Sequence, residues 1–185
     1  MIDISLVKII KSDNKSQEKF FKFIKKINKM SKKYDIYMGI DFEFNTKKVA
    51  LMQILFQIQK QDKIIKKYYI IYPPNLKLDI YLYLKTNIMA NSSILKILHG
   101  SESLDIPYLV NDFFNMDLDL IIDFFLSMID TRYLCEYLNI KKSEPNICRI
   151  YDLLENTKII STDEKKYLEL NEEKMGHIYD IFIDI

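Results

Sequence analysis

Met38-Gly39-Ile40-Asp41-Phe42-Glu43-Phe44 sets two acids inside a stretch that otherwise has the β-branched and aromatic character of a buried strand. Side chains alternate along a strand, so Ile40, Phe42 and Phe44 take one face while Asp41 and Glu43 share the other. Two carboxylates held side by side repel unless something positive lies between them, and a hard divalent cation such as Mg²⁺, which prefers oxygen ligands, does this. The plainer alternative is an edge strand with an acidic, solvated face.

Length and composition bound what the rest of the chain can be. With 185 residues, 49% of them hydrophobic and 13% aromatic, it is large and apolar enough for one domain with a sizeable core and is not disordered. The longest apolar runs are broken by charge within about a dozen residues, too soon to span a bilayer, and Met1-Ile2-Asp3 does not open a signal peptide. A soluble, intracellular protein, cytoplasmic or nuclear and not secreted, is expected, with no membrane partner. Cys135 and Cys148 match no zinc-ligand or Cys-x-x-Cys spacing and read as reduced thiols. The net charge of +1 argues against a strongly basic nucleic-acid clamp, and any nucleic-acid contact is expected to be local. No glycine-rich nucleotide-binding loop is present.

Outward from the acidic strand, the chain reads as follows. Met1–Ile10 forms a short strand or arm, and Ser16–Ser31 an amphipathic helix with Phe20, Phe23, Ile24 and Ile27 inward and its lysines as a solvated face. Tyr37–Phe44 pairs with Val49–Ile58 as a hairpin, and Lys67–Tyr72 adds a third strand, stopped by Pro73-Pro74. Leu76–Ala90 is taken as helix, Ile94–Leu98 as a buried strand, about Ser103–Phe114 as helix and Leu118–Asp123 as strand. Helices follow over Ser127–Asn139, with Ile129, Tyr133, Tyr137 and Leu138 inward, then near Ile147–Glu155 and Thr162–Lys174. Hairpin strands followed by strand–helix alternation predict an α/β domain on a mixed central sheet flanked by helices.

Two further stretches carry chemistry. Ile97-Leu98-His99-Gly100-Ser101-Glu102-Ser103-Leu104-Asp105 puts an acid just past a buried strand, in the crevice where open α/β sheets hold ligands. Asp105 either faces Asp41 and Glu43 or serves as a first-turn helix acid worth about 1 kcal/mol. Ile129-Asp130-Thr131-Arg132 is the other stretch, and there Asp130 is expected to orient the helix that follows.

Taken together, Gly39-Ile40-Asp41-Phe42-Glu43-Phe44 with Ala50-Leu51-Met52-Gln53-Ile54, Lys96-Ile97-Leu98-His99-Gly100 with Asp105 and Leu109, and Asp130-Thr131-Arg132 resemble the DEDD 3′-5′ exonucleases, in particular the RNase D and exosome exonuclease branch. Exonuclease-domain proteins of large DNA viruses are similar. The resemblance implies an RNase H-like fold and hydrolysis of single-stranded RNA or DNA at the 3′ end with two Mg²⁺ or Mn²⁺ ions. Asp41 would bridge both ions, and Glu43 and Asp105 would each hold one. It also implies a division into an N-terminal helical extension over 1–35 and the exonuclease-like domain over 36–185. Phe42, Phe44 and Tyr108 are candidates for stacking on terminal bases and equally for core.

The sequence departs from that pattern twice. The family's second-motif acid falls five residues after the His, where this chain has Leu104, with Asp105 one place later and Glu102 a weaker substitute. The family's fourth carboxylate comes from a last helix as Tyr-x-x-x-Asp or His-x-x-x-x-Asp. Neither spacing occurs in Gly176-His177-Ile178-Tyr179-Asp180-Ile181-Phe182-Ile183-Asp184. Asp180 is then the best substitute catalytic carboxylate and Asp184 the next, and the domain is expected to lack the last motif helix. The alternative function is an inactive nucleic-acid-binding or protein-interaction module of the same fold.

Overall fold

The computed structural model describes residues 7–45, 48–61, 63–140, 142 and 148–179. The chain divides into two compact units, residues 1–129 and 130–185. The first is built on strands β1 (Val7–Ile10), β2 (Asp35–Asn45), β3 (Lys48–Lys60), β4 (Lys63–Ile71) and β5 (Ile94–Leu98). A short β6 (Met128–Asp130) closes the sheet, whose order is β1-β4-β3-β2-β5-β6. β3 runs antiparallel to both β2 and β4, whereas β5 lies parallel to β2 and β1 parallel to β4. A three-strand meander continued by a parallel strand beside its first member is the order of the RNase H-like fold.

The acidic strand is central, as its residues predict. Ile36, Met38, Ile40 and Phe42 are buried on one face, and the register holds until an irregularity between Glu43 and Phe44. Helix α1 (Asn14–Met30) covers that face because Phe20, Ile24 and Ile27 recur at helical spacing and are buried in the same core. Asp13 caps it, Oδ1 accepting the Ser16 N–H at 2.8 Å. Phe20 meets Tyr69 at 5.1 Å between ring centroids, and Phe23 meets Phe56 at 5.4 Å edge-on. Helix α2 (Leu78–Leu84) follows the two prolines and ends in a wider turn closed by the Ala90 N–H on the Lys85 carbonyl.

Two assignments made from sequence are overturned. Leu118–Asp123 is not a strand but lies in helix α4 (Leu118–Phe125), where the Asp117 carboxylate accepts the Leu120 N–H. A short apolar run does not distinguish strand from helix by pattern, and here Phe124 is buried while Leu118, Ile122 and Phe125 face solvent. The helix expected over Ser127–Asn139 is split. Met128–Asp130 is strand, α5 covers only Arg132–Tyr137, and Tyr133, Tyr137 and Leu138 are exposed. The stripe drawn through Ile129 had joined a strand to a helix.

The second unit holds α5, α6 (Ile150–Asn156) and α7 (Thr162–Tyr179). Asp152 is fully buried and paired with Lys165 at 2.6 Å, which also reaches Glu155 at 3.1 Å, so α6 and α7 are locked by a charge cluster. Cys135 and Cys148, read from sequence as free thiols, are joined as a disulfide with Cα atoms 6.2 Å apart. Spacing along the chain did not show that the fold returns Cys148 to Cys135 in a small shared core with Leu153.

Candidate active site

The C-terminal half of β2 presents Asp41 and Glu43 on the face opposite the α1-covered core. β3 is aligned so that Gln53 stands directly across from Asp41. From there its side-chain amide donates to both acids, 3.1 Å to Asp41 Oδ2 and 3.0 Å to Glu43 Oε1. One neutral donor thus ties the two carboxylates into a single unit. β5 is parallel to β2 with Gly39 beside Ile97, so the chain just past β5 delivers His99 to the acids, and its charge acts on Asp41. Gly100 follows at φ 65°, a left-handed conformation in which a side chain would be strained, and this turn frees the chain from the sheet.

The electrostatics match two acids drawn together by the fold. Burial raises the Asp41 carboxyl above the ordinary carboxylate range, against the opposing pull of a hydrogen bond with Glu43, the Phe42 N–H and the charge of His99. Asp41 is nonetheless exposed on the sheet face, so the two carboxylates stand side by side toward solvent, where they could hold a cation. The donor set is hard oxygen, which suits Mg²⁺ or Mn²⁺.

Asp105 opens helix α3 (Asp105–Tyr108), and Pro107 is tolerated within its first turn. Tyr108 fixes that helix to the acidic strand, its ring 5.1 Å from Phe42 and 5.9 Å from Phe44, both edge-on. Phe42, Phe44 and Tyr108 therefore pack on one another, which is the core role of the two offered for them. Among the described residues, no three His, Cys, Asp or Glu side chains form a group that could hold a metal ion. Glu102 lies exposed in the turn between. Asp130 does what its sequence context implied, its Oδ1 accepting the Arg132 N–H at 2.9 Å.

Comparison with known proteins gives three findings. No protein-family model matches the chain. An uncharacterized protein of Acanthamoeba polyphaga mimivirus, L533, is 40% identical over 155 residues, covering 78% of this chain, and the chain spans only 30% of that relative's length. Among solved structures, the Aedes aegypti Nibbler EXO domain superposes with a TM-score of 0.47 at 12% identity over 84% of this chain and 69% of that one. The EXD2 exonuclease domain soaked in Mn and GMP gives 0.38 at 14% identity over 95% and 89%. These structures are exonuclease domains.

Asp180 and Asp184 lie outside the described residues. Within α7, Asn171 donates its Nδ2 to the Tyr167 carbonyl at 2.6 Å. Gln53 was missed from sequence because its role exists only once strand register places it across from Asp41.

Proposed function

We propose that the chain is a 3′-5′ exonuclease-like domain that binds Mg²⁺ or Mn²⁺ at Asp41 and Glu43, with Asp105 as the third carboxylate, and acts on single-stranded RNA or DNA ends. The observation that carries this reading is the paired carboxylate unit tied by Gln53 at the edge of His99, on the central strand of an RNase H-like sheet. When bound, the metal ions would acidify an attacking water and stabilise the departing 3′ oxygen as the phosphodiester is hydrolysed. The protein's own contribution is positional. Asp41 and Glu43 supply the negative charge, Gln53 holds their rotamers from the neighbouring strand, and His99 offsets part of their charge. The Phe42–Tyr108 contact sets where Asp105 starts its helix.

The absence of the Tyr-x-x-x-Asp or His-x-x-x-x-Asp spacing from 176–184 favours one qualification of this reading. A site short of its fourth carboxylate holds a second ion weakly, so turnover by this chain is low and binding outlasts chemistry. That is also the observation favouring the alternative, an inactive nucleic-acid-binding module of the same fold.

Two experiments test the proposal. Labelled single strands of RNA and DNA, incubated with the protein in Mn²⁺, are expected to shorten slowly from the 3′ end, and Asp41→Asn abolishes the shortening. Equal products from wild type and Asp41→Asn would assign the activity to a contaminant and sink the reading. Gln53→Leu, which removes the shared donor and leaves the acids unbraced, is expected to raise the Asp41 pKa further, read by carboxyl ¹³C titration, and to weaken Mn²⁺ binding about 10–100-fold. An unchanged titration would show that the two carboxylates are held by something else.

A further inference from the structure

The sequence reading took the lysines of α1 as a solvated face, but their arrangement is more ordered than that. Residues 7–33 hold ten lysines against only Asp13 and Glu18, while the whole chain is nearly neutral at +1. Lys15, Lys19, Lys22, Lys26 and Lys29 step by four and three, which places them within an arc of about 80° along about 21 Å of helix. All five are exposed, and no described carboxylate pairs with them. Lys25 stands apart, its ammonium over the Phe21 ring at 3.8 Å.

Helix α7 of the same chain is an internal control for compositional bias. It carries Lys165, Lys166 and Lys174 among Asp163, Glu164, Glu169, Glu172 and Glu173, the mixed signs of an ordinary solvated helix. The single-sign stripe is therefore particular to α1. At its N-terminal end the stripe runs into an open groove of about 430 Å³, lined by Lys8, Lys15, Lys19 and Lys67 against one acid, Asp13, and by the apolar Ile10, Phe20 and Tyr69.

We infer that the lysine stripe of α1, with the groove at its head, is a second nucleic-acid contact that grips the phosphate backbone of a single strand away from Asp41 and Glu43. The inference rests on the nucleic-acid reading above and adds to it a site independent of the metal chemistry. Evenly spaced ammonium groups match evenly spaced phosphates and read no sequence, which is how lysine serves as a point charge. Insertion into an anionic membrane does not fit, because the apolar face of α1 is already buried against the sheet. An acidic protein surface lacks the regular repeat.

The test measures binding of labelled oligo-U and oligo-dT in EDTA, where the carboxylate site is silent, from about 50 to 200 mM salt. Removing three exposed charges together (Lys19→Gln, Lys22→Gln, Lys26→Gln) is expected to lower affinity at least about tenfold and to reduce the log–log salt slope by about 2, at roughly 0.7 per lost contact. The corresponding Lys→Arg triple keeps the wild-type slope, and because binding is read in EDTA, failure of the metal reading would not mimic failure of this one. An unchanged slope in the glutamine triple would overturn the inference. So would a wild-type slope lost equally in the arginine triple, or tighter binding to anionic phosphatidylserine vesicles or polyglutamate than to the oligonucleotides.

Discussion

Asp41→Asn is expected to lower Mn²⁺-dependent 3′-end degradation by at least about 100-fold. Gln53 donates to both Asp41 and Glu43, so this substitution removes the charge at the centre of the paired unit while keeping the side chain's shape. Single-turnover rates for wild type and Asp41→Asn provide the readout, and equal rates would remove Asp41 from the chemistry.

Lys96 is the second position of large effect. It is fully buried in β5, its ammonium donating 2.6 Å to Ser127 Oγ and 2.7 Å to the Asn91 carbonyl, so it ties the entry of β5 to the approach of β6. Burial lowers its pKa to about 7, partly countered by Asp123. The unfolded chain keeps the proton up to the ordinary lysine value near 10.4, so between about pH 7 and 10.4 the unfolded state binds more protons than the folded one. Stability from this group therefore rises with pH through that window, at no more than about 1.4 kcal/mol per pH unit, and is lost as pH falls through 7. Urea denaturation at pH 7.5 and 9.5 should show the gain, and Lys96→Met should flatten it. Lys96→Ala should cost about 2–4 kcal/mol, because it opens a cavity and leaves the Ser127 and Asn91 groups without their donor. A pH-independent wild type would show that the amine stays charged.

The parts of the molecule legible in the sequence were those with strong periodicity. Alternation around Asp41 and Glu43 identified both the central strand and its acidic face, and Phe20, Ile24 and Ile27 identified α1 and the side it buries. The readings that failed were at short apolar runs. Leu118–Asp123 offered no alternation to distinguish strand from helix, and the cap at Asp117 decided it locally. The site was legible as residue types but not as a network. Gln53 gained its role from a register that only the folded hairpin creates, and Cys135 met Cys148 through tertiary return.

Binding of Mn²⁺, followed by electron paramagnetic resonance of the free ion, is expected to show a site in wild type that is lost in Asp41→Asn and in Glu43→Gln. Undiminished Mn²⁺ binding in both variants would rule out the paired acids as the metal site.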